Sequence, residues 1–502
     1  QGGDVAITDF LDTFTYGTNG SQFVPKANSD VAGLASAAGA NSFCLDFANS
    51  SDLGNDISSK GNDFSLTSMA AANQSTHTPS LTYLQFNPLQ KFGTAALSEG
   101  NTRVGVDVYD AIRGTKFVST GKKYLEITVH TVNNTYIGVA NGSSNPSSFA
   151  SSNVACLQKS GDIYINDAIP SGQSARSKAV ATGDVIGILI DADAKKFWQS
   201  VNGTINSLDR NNSITVSDSD VLAGTGGFDL SGLTGDDGNY TIHIGNSDGT
   251  SADVSINGGH KDFSHTPPTG YLGWGSDNYT APEFQGIDYF DSTLYEGNGL
   301  GQRVGDFVPF TDAHTINNSA MFNEADERSF RRTPSSAGNQ KTWTFSTWIK
   351  RTQSGADYSL LNVTNSKEVQ ILLHNSPTGS IEVFFWNGSA TDADIVTAGG
   401  FEDMSNWHNI VVAVDTRSNG NGGPASANDR IIVYVDGVRQ TLSTSDNPSD
   451  DYDTILNTAT EHTIGQKPNG ADDFQGYLSD TVLIDGSQLT ASSFGQVDTS
   501  TN

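Results

Sequence analysis

The chain of 502 residues is short of cysteine, glutamate and basic charge. Two cysteines, Cys44 and Cys156, cannot form the disulfide framework of a small stapled domain. Cys44 alternates with Phe43 and Leu45 in SFCLDF, which predicts a buried strand thiol, with a single Cys44–Cys156 bridge as the alternative. Glutamate occurs 10 times against 46 aspartates. Aspartate bonds to nearby backbone in turns and weakens helix interiors, whereas glutamate favours helices, so the skew predicts many turns and few helices. Lys and Arg number 27 against 56 acidic residues, a net charge of −29, and the basic residues form no cluster. Nucleic acid is thereby excluded as a partner, because its backbone calls for grouped cations. The charge reads as solubility, with cation binding in Asp-rich loops as the sharper alternative. No run reaches about 18 apolar residues, so no membrane insertion by a helix is expected. The start, Gln1-Gly-Gly-Asp4, has neither the basic nor the apolar part of a secretory leader and no Met. It reads as a processed product or a segment of something longer.

What is present is a succession of short strands between turns. In GDVIGILIDADAKKFWQSVNG (183–203) an apolar run ends at Asp191-Ala-Asp193, Phe197-Trp198 follows, and Asn202-Gly203 closes a turn. The same grammar returns at 407–415 (WHNIVVAVD) and 429–437 (DRIIVYVDG). YLEITVH (124–130) and YIGVA (136–140) face each other across Asn133-Asn134, a hairpin signal. No alternation of strand and helix appears, so a parallel sheet is disfavoured.

The reading is an all-β chain: two antiparallel jelly-roll-like β-sandwiches in tandem behind an N-terminal linker or strand segment. Boundaries are set at 1–40 for a linker or docked strand and 41–287 for the first sandwich, with a lectin-like strand and loop at its N-terminal end. A linker follows at 288–319, then the second sandwich at 320–497 and a tail at 498–502. Ser492 to Gly495 suggests one short helical turn.

These residues carry a resemblance. TGKKYLEITV (120–129), YIGVA and the 183–203 run resemble a SPRY domain, with Ile190 where the family has Leu and a lengthened Phe197 to Gly203 hairpin. TWTFSTWIKR (342–351), WHNIVVAVD, RIIVYVDG (430–437) and FQGYLSDTVLIDG (474–486) resemble a laminin G-like, concanavalin A-type lectin domain. The runs 42–66, 288–299, 318–351 and 474–495 are similar to a version associated with tail fibres and other virion proteins of marine bacteriophages. The resemblance implies a non-enzymatic virion structural protein, a fibre or appendage on the particle surface, attaching to bacterial surface glycans. Its partners would be other virion proteins and further copies of itself, as a homo-oligomer. The alternatives are a purely structural virion decoration, a secreted bacterial adhesin or filament subunit, and a polysaccharide depolymerase.

Catalytic motifs are missing. Glycoside hydrolysis needs two facing carboxylates, and no E-x-D-x-x-E occurs; Glu126 and Glu382 each stand alone on a strand. No G-x-S-x-G stands on a strand-to-helix turn, and no Cys/His zinc cluster is found. No cofactor is expected other than calcium, for which Asp52, Asp56 and Asp63 form one candidate loop and Asp450, Asp451 and Asp453 another. For glycan binding, aromatic faces at half-wet positions are wanted. Trp274 and Tyr279 in the Gly-rich YLGWGSDNY, and Trp386-Asn387 at a strand end, are the candidates. Trp343, Trp348 and Trp407 read as core.

Overall fold

The computed structural model describes residues 22–142, 146, 153–169, 179–206, 216–247, 250–278, 315–323, 326–375, 378–401, 403–404 and 406–498. Every strand pairing within its sheets is antiparallel, and the sheets stack as two sandwiches, as the Asp-rich, helix-poor composition requires.

The first sandwich sets a six-stranded sheet against an eight-stranded one. The run at 183–203 gives the hairpin of strands Val185–Asp191 and Lys196–Val201. Its turn is closed by Asp191, whose carboxylate takes the amide of Ala194 (2.9 Å) and the ammonium of Lys122 (2.7 Å). Ile186, Ile188 and Ile190 alternate into the core against Ile137, Val139, Ile242 and Ile244 of the other sheet. One expectation is corrected. Strands Lys122–Thr131 and Thr135–Asn141 do not pair as a hairpin; they lie in opposite sheets, and Asn133-Asn134 is the crossing between them. The Asn133 side chain is tied to Thr250, and its amide to the Thr135 hydroxyl at 3.1 Å, which turns the chain across the sandwich.

The second sandwich sets one eight-stranded sheet, centred on Thr342–Arg351, Gly476–Asp485 and His408–Asp415, against another of eight. It is not contiguous in sequence. Phe43–Leu45 pairs with Gly476–Asp485, Ser65–Thr67 with Ser329–Arg332, and Gln74–Ser75 with Ser319–Phe322. These three strands therefore belong to the second sandwich and not to the first, where the boundary 41–287 puts them. The first sandwich is an insertion between Ser75 and Ser319.

Polar groups fix this docking. Asp485, 2% exposed, accepts the amides of Asn41 (3.2 Å) and Asn339 (2.7 Å), while its own amide donates to Ser42 Oγ at 2.8 Å. Gly39 lies so close that a β-carbon there would meet the Asp485 carboxylate at 2.4 Å. Phe43, Leu45, Phe47, Leu53 and Phe64 then complete the core around Trp343, Phe345 and Phe385.

The opening segment, read as linker or docked strand, supplies strand Gln22–Pro25, which pairs with Gly495–Asp498. It also supplies a helix that the sequence reading did not anticipate, Asn28–Ala37. Val31 and Ala35 of that helix cover the outer face of one sheet, over Cys44, Trp348, Val411 and Val482. The short helical turn appears at Ala491–Ser493. Both cysteines are free and buried. Of the linker expected at 288–319, the part up to 314 lies outside the described residues, as does the expected tail beyond 498.

Candidate functional site

A sandwich offers two outer sheet faces, and here one of them is occupied. The helix, Phe23 and Phe494 lie over the outer face of the sheet containing Gly476–Asp485. The outer face of the opposite sheet is partly covered: Gln370, Leu372 and Val396 are buried, while Glu368, His374, Glu382, Phe384, Trp386 and Asp394 of strands Glu368–Asn375, Thr378–Trp386 and Thr391–Thr397 are half-buried. On Thr378–Trp386, Ile381, Val383 and Phe385 point into the core, so Glu382, Phe384 and Trp386 point out.

Register assembles the face. Phe384 sits opposite Gln370 on one side and Asp394 on the other. Glu382 sits between Leu372 and Val396, and Trp386 between Glu368 and Thr391. His374 Nε2 lies 3.6 Å from Glu382 Oε2. Gln370 donates to Asp472 at 3.1 Å, and Lys467 bridges to the same carboxylate at 2.8 Å. The result is two aromatic rings edged by carboxylates, an amide and an imidazole. Burial holds Glu382 above the usual carboxylate range; His374 opposes this, and Asp394 and Asp357 add to it. Asp394 is raised as well, by burial first and then by Asp446, which faces it across the strands. Phe384 was hidden in sequence because SIEVFFW reads as one apolar run; only the period-2 alternation with Val383 and Phe385 separates it.

The expected site residues fare differently. Trp386 is on this face and half-buried. Asn387 follows it, but its side-chain oxygen is taken by the Ser389 amide (2.9 Å), the Ser389 hydroxyl (2.8 Å) and the Ala390 amide (3.1 Å), so it holds the turn. Trp274 is corrected: it is fully buried in the first sandwich's core. Its loop runs as backbone-paired structure, the Trp274 amide donating to Gly258 O (2.6 Å) and the Leu84 amide to Trp274 O (3.1 Å), which turns the indole inward. Tyr279 lies outside the described residues.

The calcium candidates are engaged with protein donors. Asp56, 8% exposed, accepts the amides of Cys44, Ser58 and Asn62, each at 2.9 Å, and the Ser58 hydroxyl at 2.8 Å. Asp63 accepts the Asp56 amide (2.9 Å) and Asp52 the Gly54 amide (3.2 Å). Asp450 pairs with Arg430, and Asp451 and Asp453 face Lys341 at 3.5 and 3.8 Å. Among the described residues no three acidic, His or Cys side chains gather as a metal site. Both Asp sets are thus built as loop staples.

A polar cleft of about 490 Å³ is lined by residues of the 61–65 loop, by Arg331, Arg332 and Ser335, and by Glu461. Its charges are largely internally matched: Arg331 binds Glu461 (3.1 Å) and Gln466 (2.8 Å), and Arg332 binds Asn62.

The fold and the open face define the second sandwich as a lectin-like β-sandwich. Residues 327–492 match the family model described as the concanavalin A-like lectin/glucanases superfamily. No curated protein matches the chain. Solved structures similar to the chain at low identity include the following three. The SPRY domain of human HERC1 is 13% identical over 34% of this chain and 96% of its own, with a TM-score of 0.26. The native heptameric SAP-like pentraxin from Limulus polyphemus is 15% identical over 32% and 71%, with a TM-score of 0.24. Domain 4 of AbnA, a GH43 extracellular arabinanase from Geobacillus stearothermophilus, in complex with arabinotriose, is 15% identical over 36% and 76%, with a TM-score of 0.25.

Proposed function

We propose that the second sandwich binds a glycan on its open outer face, around Trp386 and Phe384, and does not cleave it. One observation carries this reading: two half-buried aromatic rings, Phe384 and Trp386, share the outer face opposite the helix-covered one with half-buried Glu382 on their own strand and Asp394 and Glu368 on the neighbouring strands. A pyranose offers aliphatic C–H faces to such rings and hydroxyls to the surrounding acceptors and donors. The match of residues 327–492 to a lectin/glucanase family supports the same reading. The finer proposal is a fibre or appendage on a bacteriophage particle, attaching to a bacterial surface glycan and packed with other virion proteins and further copies of itself. It rests on the resemblance of runs 318–351 and 474–495. Repetition around an oligomer would make weak single sites sufficient.

A depolymerase reading has one observation in its favour, since Glu382 and Asp394 share a face on neighbouring strands. Hydrolysis wants one carboxyl held as acid and the other held ionised. Here both are pushed the same way, upward. Glu382 is also faced by His374 at 3.6 Å, and the sequence carries no E-x-D-x-x-E, so binding without cleavage is the reading we carry forward. The test is a bacterial glycan array probed with the native chain and with Trp386→Ala. Specific binding lost in the variant supports the proposal. A variant that binds like the native chain removes the face from consideration. Proteomics of purified virions tests the particle assignment.

A further inference from the structure

We infer that the joint between the two sandwiches is an acid-sensitive latch, closed by an uncharged contact between Lys350 and His77 and loosened when that contact takes up a proton. His77 lies on the connector that leaves the second sandwich after Gln74–Ser75 and enters the first near Tyr83. It is 2% exposed, and Lys350 is 4% exposed. Its carbonyl accepts the Ser319 hydroxyl at 2.6 Å, so the connector is pinned where the chain returns from the insertion.

Counting protons fixes the charge state. His77 Nδ1 accepts the Tyr83 amide at 3.0 Å, so its lone pair is there. A neutral imidazole then carries its single proton on Nε2. That nitrogen is 2.9 Å from Lys350 Nζ. An ammonium has three donors and no acceptor, so Nε2–H would face another donor. The contact is a hydrogen bond only if Nε2–H donates to an unprotonated Lys350 amine. Placing the extra proton on His77 instead would aim Nδ1–H at the Tyr83 N–H. Neither Nδ1 nor the Lys350 amine can receive a proton without losing a bond, and the bond to Lys350 ties the connector to the second sandwich.

The surroundings give an added charge little support. Lys116 reaches the pair from the loop after Ala111–Gly114, and His260 from the loop after Ala252–Asn257. Arg351 follows on the same strand. Asp403, before strand His408–Asp415, is the carboxylate that favours a charged Lys350. Glu99 is engaged by Arg328 at 3.1 Å, and His408 on the adjacent strand is paired with Asp436 at 2.7 Å. The rings of Tyr477 and Trp407, centred 5.0 and 6.0 Å from that of His77, fill the remaining space. In keeping with this, burial brings Lys350 down to about 7, helped by Lys116 and opposed by Asp403. His77 is held well below its usual value by burial, then Lys350, His260 and Lys116, and burial takes His260 down to about 3.

The sign follows. Each group binds its proton more readily in the open joint, so the closed joint weakens as pH falls. Lys350 contributes from its ordinary value of 10.5 down to about 7. His77 and His260 contribute below 6.5.

The test uses the whole chain with nitroxide labels at Ser219→Cys in the first sandwich and Ser443→Cys in the second, both exposed, the native cysteines being buried. Inter-label distances are measured across about pH 10.5 to 5, the window in which Lys350 and then the histidines contribute. The expected result is a short, narrow distribution at the alkaline end that lengthens and broadens in acid. In Lys350→Met the midpoint should fall by about one pH unit. An unchanged distribution in the native chain, or an unchanged midpoint in the variant, overturns the proposal. If the variant does not fold, nitrogen NMR of Lys350 in the native chain decides. A midpoint near 7 is expected, and an ordinary lysine value overturns it.

Discussion

Removing the Asp56 carboxylate gives the sharpest test of how the early strands dock. Asp56→Ala leaves the buried amides of Cys44, Ser58 and Asn62 and the Ser58 hydroxyl without their acceptor. Hydrogen bonds to a carboxylate contribute about 1.5–3 kcal/mol each and do not add fully, because the freed loop relaxes toward water. A loss of about 3–5 kcal/mol is the working figure, the range found when a buried polar network loses its central partner. Asp56→Asn keeps Oδ1, which serves Cys44 and Ser58, and loses an acceptor for Asn62 and the Ser58 hydroxyl, so it should cost about half as much. Cys44 pairs with Val482, so the loss must appear in the second sandwich. In a thermal melt resolved into two transitions, the second sandwich should fall by roughly 10 °C and the first should stay. A shift confined to the first sandwich, or a cost for Asp56→Ala below about 1 kcal/mol, the scale of one ordinary hydrogen bond, would refute the discontinuous architecture or the staple role.

Four further outcomes are expected. Trp386→Ala should weaken glycan binding about tenfold, read by titration calorimetry, with the melt unchanged. Trp274→Ala should leave binding intact while costing the first sandwich about 3–5 kcal/mol in denaturant titration, the usual result of emptying a core aromatic position. Asp480 is buried and raised to about 8, chiefly by burial, against an ordinary 3.8. The folded state therefore holds the proton more tightly, and the second sandwich should lose stability as pH rises from about 4 to about 8; Asp480→Asn should flatten that part of the stability profile. Dialysis against EDTA should leave both transitions in place, since the Asp-rich loops are filled by protein donors; a fall of several degrees would show a bound cation.

Much of the fold was legible because strand alternation is a local signal. Val185 to Ile190 and His408 to Val414 show their cores without any partner in view. The insertion was not legible, because what places Phe43 is Leu483, and no local pattern encodes a partner so remote. Reading 41–66 with its sequence neighbour was the natural error. Trp274 failed for a related reason. Glycine-rich flanks suggest an exposed loop, yet Gly258 and Leu84 bind that loop as if it were a strand and drive the indole inward. Trp386 was legible as a strand-end aromatic, whereas its companion Phe384 needed the register of three strands to be placed.

The split of the second sandwich also sets an order of events during synthesis. Phe43 and its partner Leu483 are 440 positions apart (483 − 43). At about 5–20 residues per second, the ribosome needs roughly 20–90 s to deliver the second after the first. Throughout that interval strand 43–45 has no partner, and strands 65–67 and 74–75 have none until 319–332 is made, while the inserted sandwich, whose paired strands all fall between Phe86 and Asn257, already has its own sheets. The nascent chain should therefore mature from the inside outward, with its first-made strands among the last to find their places.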